Sequence, residues 1–115
     1  MADVARELRD HPRFAWREGM RDARGVRVVE LDLFDGDAPP DLADAATAGI
    51  LLHVLDETGR FTDVVRQDGE FVVAVDLPED GVQGWAADTL GEAAAYALLG
   101  LWDALDHPAE GGADA

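Results

Sequence analysis

The sequence PDLADAATAGILLHVLDETGR, which spans residues 40–60, indicates the fold more clearly than any other stretch of the chain. Asp44 is placed to cap a helix, and Gly59 is placed to end it. A helix with a wide apolar face must be buried, so the rest of the chain has to supply its cover. The apolar residues recur at helical spacing: Ala48, Ile50, Leu51, Leu52, Val54 and Leu55.

Two further helices are predicted, one towards each end of the chain. Residues 88–105, DTLGEAAAYALLGLWDAL, begin with Thr89 and Glu92 in the spacing of a capping box and carry a continuous apolar stripe. Residues 2–10 are compatible with a short amphipathic helix, which Pro12 prevents from continuing. Residues 108–115 are expected to form a flexible tail. We therefore expect two long helices and one short N-terminal helix.

The strands are expected to form two hairpins. Residues 20–34 contain a turn at residues 22–25 and then the β-branched stretch GVRVVELDLF, with Val29, Leu31 and Leu33 facing the core. Residues 60–66 and 70–77 flank an Asp-Gly turn, and the second stretch is apolar on both faces, as a central strand is. Residues 78–84 are expected to be a loop. We therefore predict one α+β domain in the order ββαββα, with an antiparallel sheet and both long helices packed on one face.

The composition excludes several classes of function. The chain of 115 residues contains no Cys, Lys, Ser or Asn. It therefore has no disulfide, no thiolate or serine nucleophile, no Schiff-base lysine and no Walker A motif. We find no signal peptide and no apolar run of the roughly 20 residues that cross a bilayer, so we expect a cytoplasmic protein.

The charge of the chain is large and unevenly placed. The net charge is −16, but residues 1–27 carry seven arginines against five acids, and residues 28–115 carry two arginines against twenty acids. An acidic surface repels phosphate backbones and anionic membranes, so we expect no direct binding to nucleic acid or membrane. Such a surface suits a basic protein or a cation, and it is equally typical of a high-GC or salt-adapted host proteome. Acids interleave with the N-terminal arginines, so we expect these arginines to pair within the chain.

The densest acid cluster lies just before the central helix, where a hard cation such as Ca²⁺ could find several oxygen ligands. An EF-hand starting at Asp32 fails, because Phe34 occupies its third position and Ala43 its twelfth. We therefore predict no metal, no cofactor and no catalytic residue. The weak candidate ligands are Asp32, Asp35, Asp37 and Asp41.

Small and apolar residues on the outer faces of the helices are a better lead to function. On the central helix, a face with a glycine and a histidine is either plain surface or a seat for close approach by another helix. The last helix carries a tyrosine and a leucine on its polar side and a tryptophan at the edge of its apolar stripe, and a second tryptophan lies just outside the helix. The predicted interaction residues are Gly49, His53, Trp85, Tyr96, Leu99 and Trp102.

These observations favour a small non-enzymatic protein-interaction domain that binds a protein partner or a second copy of itself. Two alternatives stay open. An acidic DNA mimic that inhibits a nucleic-acid enzyme would need carboxylates in rows at phosphate-like spacing. An enzyme that uses carboxylates and a cation would need at least two acids and a histidine converging in a concave site.

Three stretches of the chain resemble a group of small uncharacterised proteins encoded by phages and prophages. They are HPRFAWREGM at residues 11–20, PDLADAATAGILLHVL at residues 40–55 and DTLGEAAAYALLGLWDAL at residues 88–105. The group shows the patterns PxFxWxxGM, DLxDPATxGxLL and TEAEAL. The chain departs from them at Ala45, where the group favours proline, and at Leu90 and Gly91. The resemblance implies a phage or mobile-element setting and supplies no activity, cofactor or site residue.

Overall fold

The computed structural model describes residues 3–106. The chain is α+β, as predicted, but after the short N-terminal helix the order of its elements is αβββα instead of ββαββα. The predicted tail at residues 108–115 lies outside the described residues. The elements are α1 (Val4–Asp10), a 3-10 turn (Leu31–Leu33), α2 (Ala45–Glu57), β1 (Phe61–Gln67), β2 (Glu70–Leu77), β3 (Gly81–Ala87) and α3 (Leu90–Asp106).

The three strands form an antiparallel sheet with β2 in the middle, which confirms the central position predicted for it. Asp68 and Gly69 join β1 to β2 and have positive φ angles of 54° and 84°, the conformation that a tight hairpin turn requires. Val73 and Val75 of β2 are fully buried on the face that the helices cover. The core therefore lies between this face of the sheet and the two longer helices.

The loop predicted at residues 78–84 is wrong in its second half, because β3 begins at Gly81. Glu79 and Gly81 have positive φ angles of 72° and 78°, so the chain reverses within a very short turn. Strand β3 then pairs with β2 along its whole length. Most of its residues are exposed, so its sequence lacks the apolar alternation by which a strand is recognised. It is a strand because of its backbone hydrogen bonds with β2.

The first predicted hairpin is wrong beyond its turn. Two backbone hydrogen bonds link Val28 to Gly19 and Met20, at 2.8 and 2.7 Å, but the chain then leaves this ribbon and enters the 3-10 turn. Val29 and Leu33 are 75% and 81% exposed, although the pattern placed them in the core. Within residues 3–106 no strand pairs with residues 29–34, and alternation without a pairing partner does not make a strand.

Helix α3 is the element around which the fold is built, because it contacts α1, α2, β2 and β3. Two glycines of α3 permit unusually close neighbours. A Cβ at Gly91 would overlap the carbonyl oxygen of Leu42, and a Cβ at Gly100 would overlap the ring of Trp85. Small residues therefore let loops and strands approach the helix backbone from several sides. The fully buried alanines of α3 are Ala93, Ala94, Ala95 and Ala97.

Residues 11–44 contain little regular structure and are tied to the longer helices by arginines. Each of the seven arginines in residues 1–27 lies within salt-bridge distance of a carboxylate, which confirms the predicted pairing within the chain. Three of these pairs join residues 11–27 to residues at the ends of α2 and α3. They are Arg13–Asp106 at 2.7 Å, Arg17–Glu57 at 2.6 Å and Arg27–Asp44 at 2.9 Å.

Candidate interaction surfaces

One face of the sheet lies outside the core. Side chains alternate along a strand, so the residues between the buried ones of β2 point away from the helices. Val65 and Val82 on the flanking strands are 45% and 59% exposed. Val72 and Ala74 in the centre are half-buried and do not belong to the core cluster. We call this surface the open face, and it consists of Val65, Val72, Ala74, Val82, Gly84 and Ala86.

The open face has an apolar centre and an acidic rim. By the same alternation, Asp63, Glu70 and Asp76 lie on this side of the sheet. The one arginine of the sheet, Arg66, lies over the ring of Phe71 at 4.9 Å, which places it with the covered side. A sheet face that meets water normally carries polar residues in alternation, whereas this one carries valine, alanine and glycine. An exposed apolar patch with a polar rim is typical of an interaction site.

A second apolar surface is the stretch from residue 26 to residue 34, which we call the exposed segment. Four of its large apolar side chains are exposed, and three of them, Val26, Val29 and Leu33, line a shallow recess of about 180 Å³. Their exposed fractions are 45% for Val26, 75% for Val29, 46% for Leu31 and 81% for Leu33. The sequence pattern predicted that Val29, Leu31 and Leu33 face the core. The apolar alternation is present, but these side chains face the solvent.

The exposed segment is anchored at its start by Asp22, which is fully buried. The Asp22 carboxylate accepts hydrogen bonds from the amides of Arg24 and Val26 at 2.9 and 3.0 Å and from the Arg24 guanidinium at 2.6 Å. Burial raises the pKa of Asp22, but these three groups more than offset it, so the pKa lies below its ordinary value. The turn before the exposed segment is therefore rigidly held.

A third feature is a groove of about 720 Å³ between α1, residues 39–43 and the first half of α3. Tyr96, one of the predicted interaction residues, is 38% exposed and lines it. Two carboxylates of the groove form hydrogen bonds at the start of a helix. Asp3 caps α1, and Glu92 accepts a hydrogen bond from the Thr89 hydroxyl at 3.2 Å. The Glu92 amide donates to the same hydroxyl oxygen at 3.1 Å, which is one half of the predicted capping box. In the other half the Glu92 carboxylate meets the Thr89 hydroxyl instead of the Thr89 amide.

The four acids suggested as weak metal ligands are not brought together. The Arg24 guanidinium lies 2.7 Å from Asp35 and holds the pKa of this carboxyl below its ordinary value. Arg21 lies 3.7 Å from Asp41. In the part of the chain that the structure describes, no three His, Asp or Glu residues are arranged to hold a metal ion. The other two candidate acids, Asp32 and Asp37, are exposed on the same stretch of chain.

The two residues predicted on the outer face of α2 are both at the surface. A Cβ at Gly49 would have no neighbour within 4 Å. The Nε2 atom of His53 lies 3.3 Å from Glu57, one turn along the helix. The face is therefore open in this structure, but it contains no recess and no large apolar side chain.

The tryptophans chosen from the sequence contribute to the core. Trp102 is only 5% exposed, and its ring lies 4.8 Å from that of His11. Trp85 is half-buried against Gly100, and Leu99 is half-buried and packs against the core cluster. The position of Trp102 at the edge of the helical stripe did not show that His11 would pack against it.

Comparison with family models, with curated proteins and with solved structures finds no match to this chain. The resemblance to phage-encoded proteins therefore stays a prediction. Among residues 3–106, none of the helices combines the length and the apolar character that crossing a bilayer requires. The surfaces described above are thus the basis on which a function can be argued.

Proposed function

We propose that this chain is a non-enzymatic protein-interaction domain that binds a basic protein partner through the open face of its sheet. The observation that carries the proposal is the apolar centre of that face, which the fold itself leaves outside the core. Covering exposed valines with a partner removes apolar surface from water, which favours association. The phage or mobile-element setting and the cytoplasmic location belong to the same proposal.

The charge of the domain favours a basic partner over a second copy. The arginines of residues 1–27 are engaged in ion pairs within the chain. Arg60 donates a hydrogen bond to the carbonyl of Asp76, and Arg66 lies over Phe71. Arg60 thus lies beside the backbone of Asp76, but among residues 3–106 no arginine forms an ion pair with the carboxylate of Asp63, Glu70 or Asp76. Two copies, each with a net charge of −16, would repel each other, whereas lysines or arginines of a partner would be attracted.

The composition of residues 107–115 does not match the open face. Residues 107–115, HPAEGGADA, contain no large apolar side chain. They also carry two more acids and no arginine or lysine, so they complement neither the apolar centre nor the acidic rim of the open face. A partner that supplies an apolar stripe flanked by basic residues complements both.

A suitable probe is a synthetic 18-residue helical peptide with leucine on one face and lysine on the other. We expect saturable changes in the amide NMR signals of Val72, Ala74 and Gly84 as the peptide is added. Val82→Lys should weaken binding at least tenfold. The matched control is Val29→Lys, which adds the same charge at another exposed valine and should weaken binding much less.

Three results would contradict the proposal. They are changes spread evenly over the acidic surface, equal effects of Val82→Lys and Val29→Lys, and a stable dimer that Val82→Lys dissociates. Light scattering at low and high salt detects the dimer, because self-association of so acidic a chain should increase with salt. Binding of the basic peptide should decrease with salt.

A further inference from the structure

The exposed segment shows a conflict between its sequence and its conformation. GVRVVELDLF is rich in β-branched residues and alternates apolar with acidic side chains from Val29 to Leu33. The chain nevertheless forms a 3-10 turn there, and Val29 and Leu33 are the two most exposed large apolar residues described. Local preference and fold normally agree in natural proteins, and disagreements are expected at functional sites.

The fold does not need these outward side chains, because the segment is anchored on both sides of them. Val28 is 1% exposed in the core. Phe34 is half-buried, and its ring lies 4.7 Å from that of Trp16 in an edge-on arrangement. Residues 29–33 therefore project between two fixed points. They form a short surface loop whose apolar side chains are exposed to water and accessible to a partner.

The conformation of this loop is weakly held. The 3-10 turn has two backbone hydrogen bonds, from the Leu33 amide to the Glu30 carbonyl at 3.1 Å and from the Phe34 amide to the Leu31 carbonyl at 3.2 Å. Short 3-10 turns have poor hydrogen-bond geometry and are easily exchanged for other conformations. If residues 29–33 adopted an extended conformation, these backbone amides and carbonyls could pair with another strand. The apolar side chains would then lie on one side of the strand and the acidic ones on the other.

We propose that residues 29–33 bind as an added edge strand to a sheet of another protein, whose edge strand carries lysine or arginine opposite Glu30 and Asp32. Backbone hydrogen bonds supply the affinity in this mode of recognition, and alternate side chains supply the specificity. Val29, Leu31 and Leu33 contact apolar residues of the receiving strand. This docking element is separate from the open face and does not depend on it.

The partner is a different protein and not a second copy, because of the charges within the segment. In antiparallel pairing of two copies centred on Leu31, Glu30 of one copy would lie opposite Asp32 of the other. Like charges directly opposite each other destabilise a strand pair. Arg27 does not relieve this repulsion, since it donates to the Gly19 carbonyl and pairs with Asp44, both at 2.9 Å. Basic residues on the receiving strand remove the repulsion and add attraction.

The test uses the full chain and two capped heptapeptides. The first is acetyl-Thr-Val-Lys-Val-Arg-Val-Thr amide, and the second has glutamate in place of lysine and arginine. We expect the basic peptide to shift the amide NMR signals of residues 29–34 and to move their Cα chemical shifts towards extended values. The glutamate peptide should bind at least tenfold more weakly.

Two variants decide where the peptide binds. Leu33→Asp should weaken binding of the basic peptide at least tenfold without changing Tm, because Leu33 is 81% exposed. Val82→Asp, on the open face, should leave binding unchanged within twofold. If Val82→Asp abolishes binding and Leu33→Asp does not, this inference fails and the proposed function stands. Equal binding of both peptides, or a dimer that Leu33→Asp dissociates, would also overturn it.

Discussion

Residues 45–106 and residues 11–44 are stabilised in different ways. The first region consists of two helices and a sheet whose apolar residues form most of the core. The second has a few buried apolar residues, such as Met20 and Val28, and is otherwise fastened by arginine–carboxylate pairs and backbone contacts. Apolar periodicity thus specifies the regular half of the molecule. A few buried side chains and the ion pairs together hold the irregular half against it.

The two regions differ equally in what they can offer a partner. The sheet in residues 45–106 presents a rigid apolar face, whose strands are fixed by their ladder. The exposed segment in residues 11–44 presents side chains on a loop with few backbone bonds. A rigid surface suits docking with little rearrangement, whereas a loosely held segment suits strand addition.

The largest effect is expected at the joint between the two regions, where Gly91 of α3 meets Leu42. Gly91→Ala should destabilise the protein by about 1–3 kcal/mol, because the new methyl group overlaps the Leu42 carbonyl oxygen and the backbone must shift. Urea denaturation measures the loss. An unchanged midpoint would show that residues 40–42 are not held against α3 as described.

The next effect concerns Asp44, which lies at the junction of the two regions because it caps α2 and pairs with Arg27. Its Oδ2 accepts hydrogen bonds from the Thr47 amide at 3.0 Å and from the Thr47 hydroxyl at 2.9 Å, and its carboxylate pairs with Arg27. Asp44→Ala should cost about 1–2 kcal/mol in thermal unfolding, as loss of a strong N-cap does. Asp3→Ala is the control, because Asp3 caps only the short α1 at 3.3 Å. Equal losses would argue against a special role of Asp44.

As the pH falls, residues 19–28 should lose stability before the sheet does. The pKa of Asp22 and that of Asp44 both lie below their ordinary value of 3.8. A carboxyl whose pKa is lower in the folded state contributes stability that is fully present above the unfolded value and is lost as the pH falls through the folded one. We expect amide exchange in residues 19–28 to accelerate below about pH 4 before exchange in β2 does. Asp22→Asn should reduce this pH dependence, and simultaneous exchange in both regions would contradict it.

The smallest effect is a gain within the regular region alone. Gly49 lies in the interior of α2, and a Cβ there meets no neighbour within 4 Å. Gly49→Ala should stabilise the protein by about 0.5–1 kcal/mol through higher helix propensity and a more restricted unfolded chain. Thermal unfolding checks this, and it also serves as the control for Gly91→Ala. A loss of stability would mean that the face of α2 around Gly49 is not open.

Features that depend on neighbouring residues could be predicted from the sequence. Asp44 caps α2 and Gly59 follows its end with a positive φ of 76°, as their positions indicated. The central place of β2 followed from its two apolar faces. Trp102 could not be placed correctly, because its burial depends on His11, which is distant in the sequence. Likewise, β3 is held by backbone hydrogen bonds with β2, and side-chain periodicity does not indicate where such bonds form.

For the candidate surfaces, the sequence predicted single exposed residues better than connected patches. Tyr96 and His53 are at the surface as expected. The open face was present in the sequence as the second apolar side of β2, which indicated only that the strand is central. Only the structure shows that this side lies outside the core. The exposed segment was misplaced because a pattern typical of a core strand lacks a pairing partner within residues 3–106.

The pair of Arg13 with Asp106 bridges 93 positions of sequence. Helix α1 likewise packs on α3. When the ribosome makes this chain, its first residues therefore emerge long before the surfaces that receive them. The regular region can assemble as it is completed, but residues 3–20 have to wait for α3. Residues 3–20 are thus synthesised before α3 but reach their final place after it.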